Sequence, residues 1–379
     1  MNDDTTARVD DGTHPAPQRV VTSGSHRTVH VVLATPGFPD DNGDSTCIPP
    51  LQQTLQALTI RHPELRITVM AINYPYRRTP YQWHGIRIVP LDGRNRPWPL
   101  RLAAIRRGLA ESRRIHEEHG VDLIHGLWLG DAALLGLMAA RRLGIPMAAT
   151  ALGQDVKPSN RYLKLLPLRS MNLSAVSERA ASDLEASTGI EVNSILPWGL
   201  DTATGELPSW SDRELDLLGV GSLTANKNFV SFVRIVDRLR SEGRSVRAAI
   251  IGDGPERPAL RCEIERRGLS DVVELRGMLP RTRVLEAMRG ARVLLHPSRF
   301  ESFGYVFLEA LAHGMAVVSR PTGIAEETAS WQPCSDDAEM TAACGSFLDR
   351  ELLERTAPPF PLGASVRAWA ALYGLEHDR

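Results

Sequence analysis

A chain of 379 residues, 42% hydrophobic and 23% charged, is long for one domain and comfortable for two, each able to bury its own core. Its formal net charge of −1 excludes bulk attraction to nucleic acid or to an anionic membrane, so any polyanion contact must be local. Four scattered cysteines, Cys47, Cys262, Cys334 and Cys344, lack metal-binding or disulfide-framework spacing, and no apolar run approaches bilayer-spanning length.

In chain order, residues 1–27 are polar, rich in Asp, Thr, Ser and Pro, and lack the apolar stretch of a signal peptide. They are expected to form a disordered tail on a cytoplasmic protein. Regular structure is expected from Val29, where VHVVLAT reads as a buried parallel strand closed by Pro36-Gly37. Helix-like and strand-like segments then alternate: LQQTLQALTIRH, LRITVMAIN, a helix over 100–119, VDLIHGL, DAALLGLMAARRLG, PMAATAL and a helix around 177–186. A polar segment over 201–213 breaks this pattern. It resumes with DLLGVGSL, a helix over 229–242, VRAAIIGDG, a helix over 256–267, VVELRGML, RTRVLEAMRG, ARVLLHPS and MAVVS. Such alternation predicts an α/β protein with two doubly wound, Rossmann-like domains, 28–205 and 206–355, followed by a helical segment over 356–379 that packs back on the first domain.

Ligands of such sheets bind outside the carboxyl ends of the strands, and polar residues collect there. In the first domain the loop after the first strand holds Asp40, Asp41, Gly43 and Asp44. It does not continue into a calcium-binding pattern, since Leu51 stands where a Glu ligand is needed, so a phosphate-approaching turn at Gly43 is expected rather than a metal site. Helix 100–119 collects Arg101, Arg106, Arg107, Arg113 and Arg114 opposite Leu102, Ile105 and Leu109. This face could make weak peripheral contact with an anionic membrane, but the interleaved Glu111, Glu117 and Glu118 favour an ordinary solvated face. His125 and the run Leu152-Gly153-Gln154-Asp155 end two further strands; Gln154, Asp155 and His125 are candidates to meet a sugar.

In the second domain Gly221-Ser222 followed by Lys227 puts a flexible turn and one ammonium at a strand end, suited to a diphosphate. Gly252-Asp253-Gly254-Pro255-Glu256 lacks the third glycine of the dinucleotide fingerprint and reads as mainly structural. The most informative stretch is HPSRFESFGYVFLE, His296 to Glu309. Glu301 follows a strand and Glu309 lies in an amphipathic helix, with Ser302-Phe303-Gly304-Tyr305 between them. Ser302 is the expected N-cap, and Gly304 lets backbone N–H groups approach a ligand. A helix start suits a phosphate, while flanking carboxylates accept hydrogen bonds from hydroxyls. Hydroxyl, phosphate, hydroxyl describes a nucleotide sugar.

With those motifs in order, from TPGFPDDNGD through GSLTANKN, IIGDGPE, LRGML, HPSRFE and ESFGYVFLEALAHGMAVVS, the chain over about 29–327 resembles a GT-B fold retaining glycosyltransferase of family 4, the glycosyl transferases group 1. The resemblance implies a cleft between an acceptor-binding first domain and a donor-binding second domain. Matched residue by residue, it implies Glu301 on donor-sugar hydroxyls and the backbone of Phe303, Gly304 and Tyr305 on the sugar and diphosphate. It puts Glu309 on the ribose, Lys227 on the diphosphate, Gly277 and Met278 at the base, and Gly43 at the diphosphate from the opposite domain. It implies hexosyl transfer with retention from a UDP- or GDP-sugar to a glycan, lipid-linked or small-molecule acceptor, with no metal or other cofactor. The leaving phosphate helps take the acceptor proton.

Three departures accompany it. Ser222 replaces an Arg that commonly shares the diphosphate, which puts more weight on Lys227; Leu152 replaces a sugar-contacting His, which shifts weight to Gln154 and Asp155; and the segment after Glu327 is shortened. The competing readings are a nucleotide-sugar epimerase of GT-B fold and a catalytically degenerate nucleotide-sugar binder.

Overall fold

The computed structural model describes residues 27–97, 100–203, 205–350 and 356–375; all of the expected tail but Arg27 lies outside them. The first domain runs β1 (Val29–Gly37), α1 (Pro49–Arg61), β2 (Leu65–Tyr74), β3 (Tyr81–Trp83), β4 (Ile86–Pro90), α2 (Arg101–His119), β5 (Leu123–Leu127), α3 (Asp131–Leu143), β6 (Met147–Ala151), α4 (Tyr162–Leu165), β7 (Asn172–Ala175), α5 (Glu178–Thr188) and β8 (Ser194–Ile195). The second runs β9 (Leu215–Val220), α6 (Phe229–Ser241), β10 (Ala248–Ile251), α7 (Arg257–Arg266), β11 (Val273–Gly277), α8 (Arg281–Arg289), β12 (Ala291–His296), α9 (Tyr305–Ala312), β13 (Ala316–Ser319), β14 (Trp331–Pro333) and α10 (Asp337–Leu348), before α11 (Leu362–Leu372).

Two sheets result, ordered β3-β4-β2-β1-β5-β6-β7-β8 and β11-β10-β9-β12-β13-β14, and only the β3·β4 pair is antiparallel. The expected pair of doubly wound domains is therefore the observed fold. Alternation within single strands shows why each sheet is covered on both faces. Val31 and Leu33 of β1 enter the core beneath α1, whereas Val32 and Ala34 enter the one beneath α2 and α3. Leu217 and Leu218 of β9 divide in the same way. Strands buried on both sides need continuous apolar runs, which is what made them legible.

Shorter elements escaped that reading. The β3–β4 hairpin closes through His84 and Gly85, both in the left-handed region (φ 44° and 82°), and His-Gly is a weaker hairpin signal than Asn-Gly. The shortened segment after Glu327 still supplies β14, which pairs in parallel with β13 and buries Trp331. The N-cap of α9 is Gly304, at φ 85°, and not Ser302; a Cβ there would stand 2.3 Å from the Phe307 ring. The Gly252-Asp253-Gly254 turn is a packing device: a Cβ on Gly252 would come within 1.8 Å of the Gly221 carbonyl oxygen.

The chain returns to the first domain at its end. Trp369 of α11 packs against Trp198 and His125, with ring centroids 5.6 and 5.3 Å away, and Tyr373 meets His125. Phe303, at the mouth of α9, stacks on Phe360 at 5.4 Å in the same core. The return segment therefore reaches the loop between Glu301 and Glu309 as well as the first domain.

Candidate active site

In the second sheet the order reverses between β9 and β12, since β10 and β11 extend one way and β13 and β14 the other. That switch point opens a crevice at the carboxyl ends of β9 and β12. The loop after β9 brings Lys227, and the loop after β12 brings Glu301, to the same place: Lys227 Nζ lies 2.5 Å from Glu301 Oε1. The Lys227 stem runs over Gly221, where a Cβ would meet its Cε at 3.4 Å.

Glu301 has a second partner that the sequence reading passed over. His296, the last residue of β12, sets Nε2 2.7 Å from the same Oε1. Burial lowers the pKa of His296, and the adjacent Glu301 carboxylate opposes that fall. A carboxylate can only accept, so Nε2 carries the proton; buried Nδ1 has no hydrogen-bond partner. The signal available was a polar residue ending an apolar strand five positions before a carboxylate. Burial alone would raise the Glu301 carboxyl, but the hydrogen bond and charge of His296, together with the Lys227 ammonium, outweigh it and hold it at about 2. Because the folded value lies below the reference 4.5, this ionisation stabilises the fold above about pH 4.5, and the contribution is lost as pH falls toward 2.

Glu309 faces Arg281, the first residue of α8, whose Nε and Nη2 lie 2.9 and 2.8 Å from Oε1. Burial raises the Glu309 carboxyl and Arg281 opposes that rise. Arg281 also reaches across the domain boundary. With its amide nitrogen 2.6 Å from the Tyr305 hydroxyl, Gln53 of α1 accepts from Arg281 Nη1 and Nη2 at 2.9 and 2.6 Å. Tyr305 in turn donates to the Gly199 carbonyl at 3.2 Å. Arg281 was absent from the sequence-derived candidates, because a helix-start arginine looks like any solvated charge.

The two domains meet directly at this point. Gly153, at φ 120°, faces Ser302 so closely that a Cβ would lie 2.2 Å from the Ser302 Cβ. The Lys157 ammonium lies 4.1 Å above the Phe300 ring, and the Arg281 N–H donates to Ser45 Oγ at 3.3 Å. Gly153→Ala is expected to cost about 1–3 kcal/mol through the left-handed backbone alone and to wedge the domains apart. Small-angle scattering should then give a larger radius of gyration for a folded protein; an unchanged radius would show that Ser302 yields instead.

Other expected residues fall elsewhere. Asp155 is buried, and its carboxylate accepts from the N–H groups of Leu129, Leu152 and Gly153 at 2.6, 3.0 and 2.7 Å, so it ties two loops together rather than facing the cleft. Its neighbour Gln154 is exposed beside Gly153. His125 is wholly buried, bonded to Tyr373 and to Thr150 at 3.0 and 2.7 Å, with its pKa pushed down to about 3 by burial. It stands in the core rather than at an acceptor, because it is the middle residue of β5 and not its end, and Trp369 of α11 and Tyr373 cover it. Ser222 is exposed, Met278 is 63% exposed, and Gly277 takes φ 71° against Arg257. Gly43 lies in an exposed turn in which Asp41 accepts its N–H at 2.7 Å; Asp44 likewise accepts from Thr46 and Tyr74. On α2, Arg113 and Arg114 pair with Glu117, Glu111 and Glu118 of the same helix, and Arg101 pairs with Asp131 of α3. No helix among the described residues is long and apolar enough to cross a membrane.

Comparison with known proteins agrees with this geometry. Residues 208–331 match the family described as glycosyl transferases group 1, a span that holds both Lys227 and Glu301. The chain is 28% identical over 364 residues to a 2-deoxystreptamine glucosyltransferase of Streptomyces kanamyceticus, covering 85% of this chain and 91% of that protein. Among solved structures, a sucrose-phosphate synthase from Thermosynechococcus elongatus superposes with a TM-score of 0.71 at 16% identity, over 91% of this chain and 98% of that one. Anabaena HepE, solved with UDP and glucose, superposes with a TM-score of 0.67 at 17% identity, over 91% and 99%.

Proposed function

We propose that the chain, whose residues 208–331 match the glycosyl transferases group 1 and whose fold is GT-B, transfers a hexosyl group with retention from a UDP- or GDP-sugar to a glycan, lipid-linked or small-molecule acceptor, without a metal ion. The observation that carries this reading is the Lys227–Glu301 pair at the switch point, directly before the N-terminus of α9. The relatives lend support: one is a glucosyltransferase by name, and HepE was solved with UDP and glucose.

In this reading the diphosphate lies against the first turn of α9, where Phe307 N–H already donates to the Gly304 carbonyl and helix geometry leaves the N–H groups of Tyr305 and Val306 to face a ligand, and Lys227 neutralises its charge. Glu301, ionised and oriented by His296, takes the hydroxyls of the transferred sugar. Glu309 takes the ribose through the oxygen that Arg281 leaves it. The bond from the anomeric carbon to the diphosphate oxygen breaks, and its electron pair leaves with the diphosphate. The acceptor hydroxyl bonds to the same face of that carbon, and its proton passes to the departing phosphate. Lys227 and the helix dipole stabilise the charge growing there, which is what this chemistry needs most.

A thermal-shift panel of UDP, GDP, ADP and their sugars tests the reading, because a ligand that binds only the folded state raises apparent stability with concentration. One nucleotide diphosphate and its sugars should shift the transition; a flat panel at millimolar concentrations would count against it. His296→Phe keeps an aromatic ring beside Phe307, 5.1 Å away in the native protein, and deletes the hydrogen bond to Glu301. It should lower kcat about tenfold with little change in donor KM. Unchanged kcat would mean that Lys227 alone sets the position of Glu301.

A further inference from the structure

Beside Glu301 lies an open cleft of about 770 Å³ whose walls include Arg179, Arg238, Arg299 and Arg320, with Asp336 and Asp337 as its carboxylates. It crosses the domain boundary: Arg179, in the first turn of α5 in the first domain, donates to the Pro321 carbonyl of the second at 3.1 Å. Its acids are occupied. Asp336 caps α10, accepting from Ala338 and Glu339 at 2.7 and 2.9 Å, and Asp337 pairs with Arg320. Among the described residues no carboxylate pairs with Arg179, Arg238 or Arg299, and all three are exposed. Counting Arg320, four guanidinium groups stand against the two carboxylates Asp336 and Asp337, which leaves a local excess of positive charge in a chain of net charge −1.

The cleft shares its loops with the Lys227–Glu301 pair. Asn228 follows Lys227, Arg299 precedes Glu301 by two positions, and Thr322 adjoins Gly323, where a Cβ would stand 3.1 Å from the Glu301 Cβ. An anion held there is therefore carried next to the transferred sugar. We propose that this cleft is a phosphate site for the acceptor: the hydroxyl that receives the hexose belongs to a molecule bearing a phosphate monoester. Arginine suits that group because its planar fork makes paired, charge-assisted hydrogen bonds to phosphate oxygens. A cationic acceptor is disfavoured by the same field. The proposal rests on the glycosyl-transfer reading for its consequence, but the anion site can be measured without a donor.

Calorimetric titration of the full chain with glucose 6-phosphate, glucose and inorganic phosphate reads the site directly. Vesicles of phosphatidylcholine with or without phosphatidic acid distinguish a lipid-borne phosphate from a soluble one. The phosphate-bearing form should bind at least about tenfold more tightly than its uncharged counterpart in one of the two settings, and more weakly as salt rises. Arg179→Ser and Arg238→Ser, one from each domain, should each weaken that binding about tenfold and leave nucleotide release from the donor without acceptor unchanged. Equal binding of charged and uncharged forms, or phosphate binding indifferent to both substitutions, would overturn the proposal. Loss of donor turnover in the unmodified protein would instead strike the glycosyl-transfer reading and leave the anion site standing.

Discussion

Glu301→Ala is expected to lower hexosyl transfer about 10²–10³-fold while binding of the nucleoside diphosphate survives, as steady-state kinetics and calorimetry on the same preparation would show. The carboxylate is held by two groups at once, Lys227 at 2.5 Å and His296 at 2.7 Å, so its position is fixed before any sugar arrives. Its carboxyl, held well below the usual carboxylate range by His296 and Lys227, is charged at neutral pH, which suits a fixed acceptor of hydrogen bonds. Glu301→Gln separates charge from shape. It keeps the side-chain volume and an oxygen for His296, and loses the charge facing Lys227. If transfer needs the charge, glutamine should fall nearly as far as alanine; glutamine at full activity would reduce Glu301 to a spacer.

Lys227→Ala should produce the second large effect, a fall of about 10²–10³-fold in kcat together with weaker diphosphate binding. Ser222 stands where the resemblance leads one to expect a second cation, so the diphosphate has one lysine and a helix start to hold it. Lys227 is paired with Glu301, and in the proposed reading the ammonium is shared between that carboxylate and the phosphate. Ser222→Arg offers the converse test: an added guanidinium at that turn should tighten nucleotide binding and partly rescue Lys227→Ala. Unchanged nucleotide affinity in Lys227→Ala would place the diphosphate elsewhere.

Much of the fold was legible because parallel strands buried on both faces must be apolar along their whole length. VHVVLAT, VRAAIIGDG and ARVLLHPS carry that signature, and each became a central strand. The short β7 and β8 and the β3–β4 hairpin did not, since two to five residues carry too little pattern to stand apart from loops. The site divided along similar lines. Glu301 and Glu309 were visible from their spacing around a helix start. Their partners were not: Lys227 lies 74 positions from Glu301, Arg281 lies 28 from Glu309, and only the strand order β9-β12 and the packing of α8 beside α9 bring them together.

His125 and Asp155 show the opposite difficulty. Both were expected at strand ends, yet His125 is the middle residue of β5, covered by Tyr373 just past the end of α11, and Asp155, beyond β6, is occupied by three backbone N–H groups. A sequence can place a residue at a strand end without revealing what else in the chain will cover it. Gly153 was quoted only as part of a run, although its left-handed backbone and close contact with Ser302 make it a point where the domains touch.

The most direct test of the account is calorimetric titration of the nucleoside diphosphate selected by the thermal-shift panel into the native chain, Lys227→Ala and Glu301→Ala, with donor turnover measured alongside. Lys227→Ala is expected to lose nucleotide affinity, Glu301→Ala to keep it, and both to lose transfer. Nucleotide affinity and transfer left intact in both variants would contradict that expectation.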